Sequence, residues 1–355
     1  MFKNQDLIDQ ADGSIYTGLN GILFFIHRIE KHFFIDTAEK YKLILLEKID
    51  KFISKSSSSK NISLLTNSKF GSLFNKTIII NSPEFLEEIL SLAKYSKNEM
   101  PDEALYGRCG FLAGLLTLKE EHFNIPEQII RTIIVDIINS GLALSKKYRE
   151  TSENLPPLMF EWHNKAYLGA AHGYAGILST LIRVDEFYPN CVRENEMNDF
   201  IIPTAEWLAR LQRSSGNWPS SLDSNDDKLV HWCHGPTGIV PLMCRLHQLT
   251  KGKEWLERAI LGGECIWKRG LLRKGCGICH GSAGSGYALL AIYQTTKDKK
   301  YLYRAKQFGR WCLDYEKNRQ RPADSPFSLF EGCAGTGNYL IDLLTPEESK
   351  FPFIN

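Results

Sequence analysis

The architecture can be predicted from the stretch Gly277-Ile278-Cys279-His280-Gly281-Ser282-Ala283-Gly284, because its pattern returns along the whole chain. Its small residues lead at once into an apolar run of helical length, Ser-Gly-Tyr-Ala-Leu-Leu-Ala-Ile. Glycine permits tight turns and close approach of neighbouring backbone, so the pattern is typical of a loop that leads into a buried helix. We therefore predict an apolar inner helix directly after these glycines.

Further copies of this signature give the chain an internal repeat. The Gly-x-x-Gly spacing before an apolar run recurs at 18–21, 107–110, 173–176, 235–238 and 332–335. A degraded copy, Ser68-Lys69-Phe70-Gly71, fills the gap between the first and second of these. With the copy at 281–284, the sequence contains seven repeat units.

Amphipathic helical patterns separate the signatures. Their apolar residues recur at three- and four-residue spacing near 39–54, 83–98, 127–149, 196–213, 252–268 and 298–316. Strand signals are nearly absent, so we predict an all-α fold of seven helix pairs. Because inner helices that are apolar nearly all round must be surrounded, we expect a closed double ring, an (α/α)7 toroid that takes up residues 1–355 as a single domain.

Composition excludes two classes of partner. The 355 residues include 43 Lys+Arg and 41 Asp+Glu, and the net charge of +2 is too small for a nucleic-acid or membrane-surface binder driven by bulk electrostatics. The N-terminus lacks the apolar stretch of a signal peptide, and nine cysteines without an export signal favour reduced thiols. We expect a cytoplasmic protein that acts on small molecules or proteins, with no nucleic-acid partner and no indicated membrane association.

The repeat register brings metal-binding residue types together. Residues at the same offset from each first glycine should approach one another at one end of a toroid, and at these offsets stand Cys233, Cys279 and His280. Two thiolates and one imidazole suit Zn²⁺, and three protein ligands leave a fourth position for water or substrate. The register of the cysteines also contains Tyr16 and Phe330.

Cys276 leaves two alternatives open. The run Cys276-Gly277-Ile278-Cys279-His280 matches the haem-attachment pattern, although that chemistry belongs to exported proteins. Cys276 could also complete a closed structural zinc site with four protein ligands. It lies outside the repeat register, so we favour the three-ligand site.

Three more residues are candidates for proton transfer or for positions beside the metal. His172 shares the register of His280 without a neighbouring thiol, which suits a proton donor or acceptor. His234 follows a predicted ligand and could equally point into a structural hydrogen bond. Glu103, four residues before Gly107, is the nearest acidic candidate on its loop.

Together these motifs resemble the eukaryotic LanC-like proteins, relatives of the bacterial lanthionine cyclases. The resemblance rests on His231-Trp-Cys-His-Gly235, on the stretch 277–284 and on Gly169-Ala-Ala-His-Gly-Tyr-Ala-Gly176. Leu105-Tyr-Gly-Arg-x-Gly110 and Pro326-Phe-Ser-Leu-Phe-Glu-Gly332 are similar to that family as well, so the likeness covers nearly the full chain.

The resemblance implies an (α/α)7 toroid with Zn²⁺ held by Cys233, Cys279 and His280. It also implies an enzyme that activates a thiol and adds it to dehydroalanine or dehydrobutyrine, forming a thioether. In the eukaryotic branch the thiol is glutathione, and the electrophile arises by loss of phosphate from phosphoserine or phosphothreonine in proteins. The implied partners are therefore glutathione and dehydroamino-acid or phosphorylated peptides and proteins.

Four residue roles follow from the same resemblance. His172 matches the active-site histidine, which would protonate the enolate after thiol attack, and Glu103 falls where the bacterial enzymes carry an acidic residue. Lys274 and Arg321 match positions that contact glutathione carboxylates. Cationic groups of this kind suit a tripeptide that carries two carboxylates.

The N-terminal segment departs from the pattern of the family. Only about fifteen residues precede the first signature, which suggests that an N-terminal outer helix and a basic contact to glutathione are missing.

A glutathione-binding scaffold or sensor that recruits partners without turnover is the main alternative to a thioether-forming enzyme. Zinc-dependent protein prenyl transfer is a third, but its zinc site normally includes an aspartate.

Overall fold

The computed structural model describes residues 11–33, 35–54, 60–97, 99–149, 154–318 and 321–354. Within these ranges the ordered elements are helices, and pairing of extended chain is limited to two isolated bridges, at 162 with 165 and at 167 with 221. The prediction of an all-α fold is confirmed. The expected loss of an N-terminal outer helix concerns residues 1–10, which lie outside the described residues.

Seven helices of the described chain form an inner ring, one after each small-residue signature. They are α1 (Leu19–Phe33), α3 (Ser68–Ile80), α5 (Arg108–Glu120), α7 (Tyr174–Arg183), α10 (Pro236–Thr250), α12 (Ser282–Thr296) and α15 (Cys333–Asp342). Each inner helix contacts the next, and α15 contacts α1. The inner helices therefore close on themselves, as the toroid prediction requires.

Outer helices alternate with the inner helices along the chain, and the longer ones pack on the inner helix that precedes them. They are α2 (Asp36–Ile53), α4 (Leu86–Ser91), α6 (Glu127–Arg149), α8 (Glu194–Glu196), α9 (Ile202–Arg210), α11 (Lys253–Arg269) and α13 (Lys299–Leu313), with the short α14 (Tyr315–Asn318) after the last. The pattern at 83–98 forms a broken element, since 3₁₀ turns at Pro83–Phe85 and Leu92–Lys97 flank α4. A π-helical turn at Met197–Ile201 joins α8 to α9.

Helix α6 is long and apolar enough to cross a membrane by length and composition alone. Its apolar residues have a different explanation, because they form one stripe that packs in the core. The stripe consists of Ile130, Ile133, Ile134, Ile137 and Ile138, none of them more than 3% exposed. Packing against the ring accounts for the apolar character of this helix.

A continuous circle of backbone hydrogen bonds joins the loops that precede the inner helices. Taken round the ring, the bonds are Tyr16 N to Leu65 O (2.9 Å), Leu64 N to Gly110 O (3.3 Å), Ala104 N to Ala171 O (3.1 Å), Ala170 N to Trp232 O (3.2 Å), Trp232 N to Cys279 O (2.9 Å), Cys279 N to Phe330 O (2.8 Å) and Phe330 N to Tyr16 O (3.2 Å). We call this circle the belt. It places the residues of the cysteine register side by side at one end of the toroid.

Glycine is needed where the belt turns into an inner helix. Gly235 has φ of 117°, in the region that side chains rarely adopt. At Gly238 an added Cβ would lie 2.2 Å from the carbonyl oxygen of Trp232. Helix α10 can therefore start this close to the belt only with glycine at both positions.

Residues 351–354 form a buried segment that packs against the inner ring. Phe351 stacks on Trp232, with centroids 4.8 Å apart and planes at 11°, and also meets Tyr287 and Phe330. Phe353 packs on Phe24 and Phe74. Because these partners belong to repeats on different sides of the ring, the segment acts as a central plug.

Truncating the plug should destabilise the whole toroid. Phe351 is only 4% exposed, so Phe351→Ala is expected to lower the free energy of unfolding by about 3–5 kcal/mol through lost burial and a cavity. Chemical denaturation followed by circular dichroism measures this change. Phe327→Ala, at a site 38% exposed, is the matched control and should move the midpoint little. Equal effects of the two variants would contradict a packing role for the plug.

Candidate metal centre and its surroundings

The structure brings the three predicted ligands together. The side-chain ligand atoms of Cys233, Cys279 and His280 all lie within 4.8 Å of one another. The belt explains this proximity, because the backbone N–H groups of Trp232 and Cys233 both point to the carbonyl oxygen of Cys279, at 2.9 and 3.4 Å. Adjacent loops thus hold two thiols and one imidazole at the end of the inner ring.

Electrostatics of this cluster favour a bound cation. Burial raises the pKa of Cys279 well above its ordinary value, and the neighbouring Cys233 sulfur adds to the shift. Burial lowers the pKa of His280, but its contact with Cys279 outweighs this and the pKa is raised. Two adjacent thiolates are therefore costly unless a cation compensates their charge, and two sulfurs with one imidazole form a donor set that Zn²⁺ takes in proteins.

Cys276 lies outside this cluster. Its thiol contacts that of Cys312 on α13, and this contact is the main cause of the lowered pKa of Cys276. The contact with Cys276, followed by burial, in turn raises the pKa of Cys312. The geometry thus favours three protein ligands over the alternative with four.

Tyr16 touches the candidate metal centre. The sequence analysis placed Tyr16 at the same repeat offset as Cys233 and Cys279 but predicted no contact for it. Its hydroxyl donates to Sγ of Cys279 at 2.7 Å, and its ring stacks on Phe330 at 4.7 Å. Burial, followed by the charges of Cys279 and Cys233, raises the pKa of Tyr16 well above the ordinary value. The hydroxyl therefore stays protonated and orients the Cys279 sulfur.

His172 and Glu103 form a pair beside the cluster. Nδ1 of His172 lies 2.7 Å from Oε2 of Glu103, whose side chain is 1% exposed. The same carboxylate accepts hydrogen bonds from the backbone N–H groups of Leu105 and Tyr106, at 2.9 and 2.5 Å. Because a carboxylate accepts, Nδ1 carries the hydrogen and Nε2 is the nitrogen left for proton transfer.

Two further histidines lie nearby: the ring of His234 is 6.5 Å from that of His172, and Nδ1 of His231 is 3.9 Å from Sγ of Cys233. Burial, with His172 as the largest neighbouring charge, lowers the pKa of His234 to about 4. Burial and His280 lower the pKa of His231 to about 4 as well. Both rings are therefore neutral near pH 7. Nδ1 of His234 is buried without a hydrogen-bond partner among the described residues.

Lys274 and Arg321 have different surroundings. Lys274 is exposed, and its charge contributes to the lowered pKa values of His231 and His234, so it lies close to the histidines. Arg321 forms an exposed ion pair with Asp324 at 3.4 Å. Residues 319 and 320, which immediately precede it, lie outside the described residues.

The fold and this site define a class of protein: a closed α/α toroid with a Cys-Cys-His cluster at one end. Comparisons with known proteins agree. The model of the family "Lanthionine synthetase C-like protein" matches residues 9–355. The chain therefore belongs to the lanthionine synthetase C-like family.

Two individual proteins are similar to the chain. Glutathione S-transferase LANCL1 of Danio rerio is 40% identical over 277 residues, which cover 76% of this chain and 67% of that protein. The structure of nisin cyclase has the same fold, with a TM-score of 0.72 over 98% of this chain and 92% of the other. At 16% identity this second likeness concerns the fold alone.

Proposed function

We propose that the chain is a zinc-dependent enzyme that adds the thiol of glutathione to dehydroalanine or dehydrobutyrine in proteins, forming a thioether. The observation that carries the proposal is the placement of a Cys-Cys-His cluster next to a histidine held by a buried carboxylate. The name of the Danio rerio relative, a glutathione S-transferase, supports glutathione as the thiol.

Cys233, Cys279 and His280 would hold the metal. Zn²⁺ bound there would lower the pKa of the glutathione thiol and so supply a thiolate near pH 7. Lys274, exposed beside the histidines, would bind a carboxylate of the tripeptide. We assign a second carboxylate to Arg321, which would have to exchange its exposed partner Asp324 for the ligand.

His172 would carry the proton through both halves of the reaction. With Nδ1 bound to Glu103, Nε2 can remove the α-hydrogen of a phosphoserine residue as phosphate leaves from the β-carbon. Glu103 stabilises the imidazolium that results. When the thiolate sulfur then bonds to the β-carbon, the double-bond electrons move toward the carbonyl and Nε2 returns the proton to the α-carbon. The net change replaces phosphate by glutathione, with the thiol hydrogen leaving on phosphate.

We further propose a cytoplasmic location for this activity. All nine cysteines of the chain are free thiols in the structure. Unpaired cysteines in this number suit a compartment that keeps thiols reduced. Such a compartment also keeps glutathione in the thiol form that the proposed reaction needs.

The test uses mass spectrometry on two acceptor peptides with the zinc-loaded protein and glutathione. A dehydroalanine peptide should gain the mass of one glutathione. The matching phosphoserine peptide should lose phosphate and gain the same mass. Binding of zinc and glutathione without any adduct on either peptide would contradict the enzyme and would instead indicate a binding protein. An adduct on the dehydroalanine peptide alone would limit the activity to the addition step.

A further inference from the structure

A strained hairpin lies beside His172. The backbone N–H of Trp162 donates to Lys165 O at 3.0 Å, and the N–H of Lys165 donates back to Trp162 O at 3.1 Å. The two residues at the tip, His163 and Asn164, both have positive φ, 49° and 58°. Two-residue hairpins of this kind usually place glycine or asparagine at such positions, so His163 is held in a conformation that costs free energy. Backbone strain of this kind tends to persist where it positions a functional group.

The group that this hairpin positions is the ring of Trp162. The ring lies nearly parallel to Tyr106, with centroids 5.3 Å apart and planes at 17°. Both rings are also nearly parallel to the ring of His172. The centroid of Trp162 lies 6.0 Å from that of His172 with planes at 12°, and the centroid of Tyr106 lies 6.3 Å away with planes at 5°. Glu103 fixes two members of this group, since it accepts from Nδ1 of His172 and from the backbone N–H of Tyr106.

Packing of the core does not account for this arrangement. Tyr106 is 36% exposed, Trp162 is partly exposed, and neither belongs to the buried core. An exposed pair of Trp and Tyr is the composition of a protein-binding hot spot, because such rings provide a large contact area with little conformational freedom to lose. The pair touches His172, so a ligand that covers it must have a part within reach of that histidine.

The chemistry of the surface distinguishes between the two substrates of the proposed reaction. Glutathione is charged, and the exposed cation Lys274 lies with the histidines of the metal centre. The aromatic pair instead offers apolar faces on which peptide planes and apolar side chains pack. It therefore suits the polypeptide that carries the unsaturated residue.

We infer that Trp162 and Tyr106 form the binding surface for the acceptor polypeptide, holding the chain that flanks the reacting residue so that this residue meets His172. This inference rests on the proposed function and adds a substrate-binding site to it. Both residues are positioning residues, since their role is to place the acceptor. Their removal should penalise long acceptors and spare short ones.

The test compares a dehydroalanine peptide with a minimal acceptor, N-acetyl-dehydroalanine methylamide. In Trp162→Ala, kcat/KM for the peptide should fall roughly 10- to 100-fold, the effect of truncating an aromatic hot-spot residue, while the value for the minimal acceptor stays within about 2-fold. Trp162→Phe should recover most of the loss. Trp267→Ala, which removes a tryptophan 37% exposed on α11, is the matched control and should leave both acceptors unaffected.

A binding measurement separates this inference from the proposed chemistry. Fluorescence anisotropy of a labelled peptide with alanine at the acceptor position should show the same loss of affinity in Trp162→Ala. Equal losses on both acceptors, or unchanged peptide binding and turnover in Trp162→Ala and Tyr106→Ala, would overturn the inference while the enzyme stands. Absence of any thioether with the unmodified protein would overturn the proposed function, and the anisotropy result would still decide whether the aromatic pair binds peptide.

Discussion

Cys233→Ala is expected to lose bound zinc and thioether formation together. The variant leaves Cys279 and His280 as a two-residue site, and we expect metal affinity to fall by at least about 100-fold, beyond the 10- to 100-fold typical of losing a residue that only supports a ligand. Metal analysis after dialysis against a chelator, together with adduct mass spectrometry, measures both losses. Circular dichroism should show an intact helical fold, because Cys233 is only partly buried and its replacement by alanine removes a single sulfur atom.

Cys244→Ala is the matched control for this change. Cys244 is a buried thiol on α10, the helix that follows Cys233, and it lies outside the cluster. Its removal should retain both zinc and activity. Cys276→Ser should also retain zinc, since its thiol contacts Cys312 instead of the cluster. Retention of zinc and adduct formation in Cys233→Ala would refute the three-ligand assignment, and zinc loss in Cys276→Ser would restore the alternative with four ligands.

His172→Ala should abolish most turnover and leave zinc in place. Removing a group that moves a proton typically costs about 10²–10⁴-fold in rate, and we expect this loss in kcat with little change in KM for glutathione. Glu103→Gln should give a smaller loss of the same kind, because the amide can still contact His172 but cannot compensate its positive charge. Steady-state kinetics at saturating glutathione measures both variants.

His32→Ala provides the comparison for these variants, since it removes an exposed histidine at the end of α1. It should leave kcat unchanged. A His172→Ala protein with full turnover would show that the proton moves by another route. Loss of zinc in that variant would show that His172 supports the metal centre instead.

The architecture was predictable because the repeats carry the same two signals, glycines before an inner helix and an apolar run within it. Glycines are required where the belt meets α10, and apolar inner helices require a surrounding ring. The same register predicted the proximity of Cys233 and Cys279, since residues at one offset lie side by side on the belt. Helix boundaries were less predictable: the pattern at 83–98 is periodic, yet Pro83 and the residues after Ser91 form 3₁₀ turns.

Contacts made outside the repeat were not predictable. Trp162 comes from a loop without periodicity, and nothing in the local sequence indicates that a strained turn brings it parallel to His172. Tyr16 shared the register of the cysteines, which was a usable signal for its contact with Cys279. Glu103 was predicted only as an acidic residue on its loop, and it is the tertiary structure that shows its carboxylate buried against His172.

The central plug connects repeats that are far apart in the sequence. Phe351 and Phe353 follow all seven inner helices in the sequence, yet they pack on residues from the first repeat and from the fifth. Until Phe351 packs into place, Trp232 lacks the aromatic ring that stacks on it. Contacts between the first and last repeats are also the most distant in sequence, and such contacts form slowly. These long-range contacts should accordingly form late in folding.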